Sequence, residues 1–147
     1  MTDKYDCLRL ENQICFPLYV VSKEIIRKYT PLLEKLDLTY TQYICMMALW
    51  EKKVMNVKDL GDVVFLDSGT LTPLLKKLES KNYITRTRSV SDERIVVVNV
   101  TDEGLRLRDK ALSIPNSIGS CMKLSEADAK TLYKLLHKII DNNLING

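Results

Sequence analysis

Four cysteines, seven tyrosines and a single histidine carry most of the side-chain chemistry in this chain. The cysteines are Cys7, Cys15, Cys45 and Cys121. None of them forms a C-x-x-C pair, and His137 is the only histidine that can join them. A structural zinc site is therefore not expected, and no metal or other cofactor is implied. A reducing compartment keeps such thiols free. A free cysteine has two fates. Buried among apolar groups it packs and stays inert; exposed and stabilised as a thiolate it is a nucleophile. Cys15 lies on an apolar stripe and by itself reads as a packing residue. Cys45, inside YICMMALW, reads as core. Cys7 sits on a polar segment and reads as exposed.

A second group of residues suits anionic partners. Asp67, Ser68, Thr70 and Thr72 are short polar side chains at the start of an expected helix, where such groups can reach base edges or phosphates. Lys76 and Lys77 follow and can neutralise phosphates. Arg86, Arg88 and Arg94 lie on and around an expected hairpin. An arginine at a hairpin tip can enter a narrow minor groove. Asp92, two residues before Arg94, can hold its guanidinium through a bidentate pair. The plain alternative stands beside this. Ser and Thr at helix starts are ordinary caps, and scattered lysines are often a solvated face.

These residues need elements to position them. Apolar residues from Leu8 to Tyr29 recur at helical spacing. Pro17 interrupts that pattern, which implies either a kink or a later helix start. Thr30-Pro31 reads as the opening of a short helix to Leu36. Thr39 caps a helix to about Lys52. A helix from Asn56 or Val57 ends near Val63, and another opens at Asp67-Ser68-Gly69. Ile84–Arg88 alternates, and Ile95–Val100 is β-branched, so two strands flank the polar tip SVSDER. Thr101-Asp102-Glu103-Gly104 restarts a helix that continues past Leu112. Residues 116–120 read as loose. Ser125-Glu126-Ala127-Asp128 opens the last helix. A helix pair followed at once by a hairpin is the layout of a winged helix-turn-helix. The expected class is mainly α with a small β-hairpin.

The bulk numbers permit this. The chain has 147 residues, 46% of them hydrophobic, enough for one core and too many for a disordered chain. A net charge of +3 allows nucleic-acid binding without demanding it. No stretch approaches the roughly 20 apolar residues of a membrane span. The polar N-terminus does not read as a signal peptide, so a cytoplasmic location is expected.

The stretch LDSGTLTPLLKKLESKNYITRTRSVSDERIVVVNVTDEG resembles the MarR family of transcriptional regulators, in particular its organic-peroxide-sensing OhrR-type repressors. LENQICFPLYVVSKEIIRKYTPLLEKLDLTYTQY resembles the same branch. The likeness weakens after about Ala111. It implies one winged-helix domain over 1–147, with a DNA-reading core of about 37–100. About 1–36 and 101–147 would be dimerisation helices. It implies a homodimer that places one recognition helix and one wing on each half of a duplex operator. It also implies a repressor with an organic hydroperoxide or related oxidant as signal.

The resemblance further assigns Cys15, in ENQICFPLY, as the peroxide-reactive thiol. Tyr29 and Tyr40 fall where phenols of the other subunit donate hydrogen bonds to it, and Tyr19 matches a family tyrosine. Phenolic donors stabilise a thiolate, and its reaction with a peroxide gives a sulfenic acid. One part of the family resolves that acid with a second cysteine near the C-terminal helices of the other subunit. Cys121 falls in that region. Another part uses small thiols, and the sequence leaves both routes open. Pro17 is atypical of the branch and can shift the thiol relative to the two phenols. Other functions remain open to the sequence: a MarR-type regulator that answers a small aromatic ligand, a thiol peroxidase, and a structural interaction module. Nothing beyond Cys15 supports turnover, so the chain is not expected to be an enzyme.

Overall fold

The computed structural model describes residues 3–144. Two short 3-10 turns, Asp6–Leu8 and Leu10–Asn12, precede helix α1, Cys15–Glu34. The helix expected from Leu8 thus starts later, which is one of the two outcomes that Pro17 implied. Pro17 falls in the first turn, where backbone N–H groups have no intrahelical acceptor in any case. The expected helix start at Thr30-Pro31 does not occur, because α1 runs through it. Pro31 removes one donor from the ladder, the one that would reach the Arg27 carbonyl, while Thr30 Oγ1 donates to the neighbouring Ile26 carbonyl at 3.3 Å. Leu33, two residues on, is fully buried, so packing carries the helix past a locally unfavourable residue.

Helix α2, Tyr40–Lys52, opens with a reciprocal capping box. Gln42 N–H donates to Thr39 Oγ1 at 3.3 Å, and Thr39 N–H donates to Gln42 Oε1 at 3.1 Å. Its inner face, Tyr43, Cys45, Met46, Leu49 and Trp50, is buried. Strand β1, Val54–Asn56, follows and was not anticipated. Three residues are too few to show an alternation. Asn56 caps α3, Val57–Val64, and Asp67 caps α4, Ser68–Ser80. Leu71, Leu74, Leu75 and Leu78 face α4 into the core.

Strands β2, Ile84–Arg88, and β3, Val96–Val100, pair antiparallel, with Ile84 opposite Val100 and Arg88 opposite Val96. β1 lies on the other edge of β3, giving the order β1-β3-β2. The second strand begins at Val96 rather than Ile95, whose N–H is held in the tip turn by the Asp92 carbonyl at 3.0 Å. Helix α5, Asp102–Ala111, is capped by Thr101 and stops short of the expected end past Leu112. Residues 116–120 are not loose; they belong to α6, Ile114–Met122. Ile114 and Ile118, one turn apart, are buried, and that burial outweighs the poor helix propensity of Asn116, Ser117 and Gly119. Ser125 caps α7, Glu126–Ile139, as expected.

The chain divides after Leu112 into two compact units, with α5 in the first and α6 and α7 in the second. Within the first unit, Trp50 Nε1 donates to the Gly104 carbonyl at 2.8 Å in a buried contact. Gly104 lies so close to the β2 base that a Cβ there would collide with the Tyr83 carbonyl oxygen. Each unit also leaves apolar surface uncovered. Ile14, Phe16, Leu18, Tyr19, Val21 and Ile26 are exposed at and along α1. On α7, Leu132, Leu135, Leu136 and Ile139 are exposed, and the helix buries no residue of its own. No described helix is long and apolar enough to cross a membrane.

Candidate functional site

Cys15 is the first residue of α1 and is exposed. Unpaired N–H groups at a helix start favour negative charge there. Tyr19 stands one turn further on, exposed, with the Lys23 ammonium over its ring at 5.4 Å. Tyr29 and Tyr40, far apart in sequence, meet: their ring centroids are 4.9 Å apart. Tyr43 is a third member that the sequence reading missed, 5.8 Å from Tyr29 and edge-on to Trp50 at 6.1 Å. Its spacing of three from Tyr40 on one helix was the available signal. Burial raises the Tyr29 phenol above its ordinary value, and the Tyr40 phenol beside it adds to the rise.

Tyr29 lies roughly four turns and about 21 Å along α1 from Cys15, so the phenol pair and the thiol do not meet within one chain. The other thiols divide sharply. Cys45 is fully buried, and burial pushes its thiol up to about 12. Cys7 and Cys121 are exposed, and Cys121 stands near the end of α6.

The second group gathers on α4 and the hairpin. Asp67 is occupied as a cap: Thr70 N–H donates to Oδ1 at 2.8 Å and Thr70 Oγ1 to Oδ2 at 3.3 Å. Ser68, Thr72 and Lys76, one turn apart, form an exposed row, with Lys77 exposed beside it. At the hairpin tip, Asp92 receives the Arg94 guanidinium on both oxygens, at 3.0 Å each. Arg88 donates to the Glu93 carbonyl at 2.7 Å.

Arg86 is placed differently. Its guanidinium donates to Glu79 Oε1 at 3.1 Å and its backbone N–H to Oε2 at 2.9 Å, so it ties the end of α4 to β2. These bonds hold the Glu79 carboxyl below its ordinary value. The side chain is only 22% exposed. A groove of about 570 Å³ runs between α3, α4 and the hairpin, lined among others by Lys58, Ser68, Thr72, Arg86 and Arg94. The starting turn of α4 and the root of the hairpin thus open onto one concave surface.

Two helices joined by a tight turn, the second presenting a polar row beside a basic hairpin, define a winged helix-turn-helix protein. The family described as transcriptional regulator SarA/Rot matches residues 27–111. The organic hydroperoxide resistance transcriptional regulator of Bacillus subtilis is 45% identical over 141 residues, covering 96% of each chain. Reduced AbfR bound to DNA, the regulator of Staphylococcus epidermidis, is 31% identical with a TM-score of 0.79, covering 95% of this chain and 98% of that one. A disulfide form of AbfR is 33% identical with a TM-score of 0.65, covering 92% and 96%. The chain belongs to the MarR-type winged-helix transcriptional regulators, in the branch of the organic hydroperoxide resistance regulators.

Proposed function

We propose that this protein is a homodimeric repressor that holds a duplex operator while reduced and releases it when an organic hydroperoxide or related oxidant oxidises Cys15. One observation carries the reading. An exposed thiol opens α1, and the phenol pair suited to stabilising it lies far from it: Tyr29 is about 21 Å along the same helix, and Tyr40, at the start of α2, packs against Tyr29. A second copy is what can bring Tyr29 and Tyr40 to Cys15. The uncovered apolar faces of α1 and α7 are the surfaces an intertwined dimer buries.

On the DNA side, Ser68, Thr72, Lys76 and Lys77 would face the major groove and its phosphates. The Asp92-oriented Arg94 would enter the minor groove. Asp67 and Arg86 would serve by holding α4 and the wing in place. The thiolate attacks the peroxide oxygen, giving a sulfenic acid at Cys15 and an alcohol. Condensation with a second thiol, Cys121 or a small thiol, then expels water. The relatives are transcriptional regulators, and this chain is read as a sensor rather than a catalyst.

The test is operator binding before and after cumene hydroperoxide. The wild type is expected to release the duplex, and Cys15→Ser to hold it. Release by the Cys15→Ser protein would overturn the proposal.

A further inference from the structure

We infer that Lys81 is the positioning residue that links the sensing helix to the recognition helix; the inference rests on the oxidation-sensing reading above. Lys81 ends α4, and its ammonium meets three acceptors from outside that helix. Its Nζ donates to the Asp37 carbonyl at 2.5 Å and to Gln42 Oε1 at 3.4 Å, and stands 3.4 Å from the Asp37 carboxylate. Asp37 belongs to the turn that closes α1, and Gln42 to the first turn of α2. Two residues on, Tyr83 Oη donates to the Leu36 carbonyl at 3.2 Å.

Both turns are rigid extensions of their helices. On the α1 side, Leu36 N–H and Leu38 N–H both donate to the Leu33 carbonyl, at 2.9 and 3.0 Å, and Asp37 N–H to Glu34 at 3.0 Å. On the α4 side, Asn82 N–H donates to Glu79 at 2.9 Å and Tyr83 N–H to Leu78 at 3.1 Å. A shift of α1 therefore reaches α4 through a short polar clamp with little slack. Gln42 completes it. This amide is buried, and its one Oε1 serves both the α2 cap and Lys81. From α4 the Glu79–Arg86 pair passes the displacement to the wing. α1 carries Cys15 at its far end and Tyr29 in its third quarter, so whatever oxidation does to that rod arrives at this clamp.

The experiment uses the full-length dimer with Lys81→Met, Lys81→Arg and Tyr83→Phe. The probe is a fluorescent duplex selected from a random pool by the reduced wild-type protein. Kd is measured reduced and after cumene hydroperoxide, and Cys15 oxidation is followed by mass spectrometry. Lys81→Met is expected to bind the duplex within about threefold of wild type when reduced and to oxidise at Cys15 at the wild-type rate. Its ratio of oxidised to reduced Kd should be roughly five- to tenfold smaller, the size of a lost allosteric coupling. Lys81→Arg should restore the ratio, and Tyr83→Phe, which keeps every charge, should lower it in part.

A Lys81→Met protein that releases DNA on oxidation as fully as wild type overturns the inference. So does one that binds the duplex more than tenfold worse while reduced, or one too unstable to assay whose Tyr83→Phe counterpart releases normally. If wild type itself keeps the duplex after Cys15 is oxidised, the sensing reading fails and this inference falls with it. That result is separate because it shows in the unmutated protein.

Discussion

Both carboxylate oxygens of Asp92 accept from the guanidinium of Arg94, at 3.0 Å each, and Oδ1 also accepts the Arg94 backbone N–H at 3.0 Å. The fork is aimed by a residue two positions away on the same exposed tip. An arginine so held loses less freedom on meeting a phosphate-walled groove than a free one does. Arg94→Ala should weaken operator binding about tenfold or more. Asp92→Ala removes a negative charge from the hairpin tip yet should also weaken binding, by several-fold, because the orientation of Arg94 is lost. Fluorescence anisotropy on the selected duplex measures both. Tighter binding by Asp92→Ala would mean that charge outweighs orientation.

The Glu79–Arg86 pair should show in acid. Its carboxyl is lowered chiefly by the Arg86 side-chain hydrogen bond. A lowered folded value means that the contribution is fully present above the ordinary carboxylate range and is lost as pH falls through the folded value. The stability gap between wild type and Glu79→Gln should be constant from pH 7 to about pH 4.5 and should shrink below that. Urea unfolding at a series of pH values checks it. A gap that widens in acid has the wrong sign for this pair.

Cys45 should be silent. It has no exposed surface, and burial keeps its thiol protonated until about pH 12. Iodoacetamide at pH 8 should leave Cys45 unmodified in the folded protein and alkylate it only in denaturant. Peptide mass mapping distinguishes the four sites. Native labelling at Cys45 would show that the α2 core opens.

Gly104 should tolerate no side chain. The added methyl of Gly104→Ala would meet the Tyr83 carbonyl, which is backbone and cannot rotate away. A loss of about 3 kcal/mol is expected, at the upper end for overpacking. Trp50→Phe leaves the Gly104 carbonyl without its donor and should cost about 1–3 kcal/mol. Chemical denaturation of the full chain reads both values. A near-neutral Gly104→Ala would mean that α5 can move off the β2 base.

Caps and periodicities placed most of the helices. Thr39, Asn56, Asp67, Thr101 and Ser125 each accept a backbone N–H at the helix start they announced. A cap is a bond across three residues, so it is written locally. The misreadings arose where distant burial decided. Pro31 stays inside α1 beside buried Leu33, and the Asn-, Ser- and Gly-bearing stretch of α6 is helical around Ile114 and Ile118.

The helix-turn-helix and wing order, the Asp92–Arg94 pair and the core place of Cys45 are legible in the chain as written, because each rests on neighbours within a few residues. That Arg86 faces Glu79, that Tyr43 joins Tyr29 and Tyr40, and that Lys81 reaches Asp37 and Gln42 follows from packing alone. The Lys81 contacts span some forty positions of chain. No local spacing encodes a contact across such a distance; it exists only once buried apolar surface has brought the segments together.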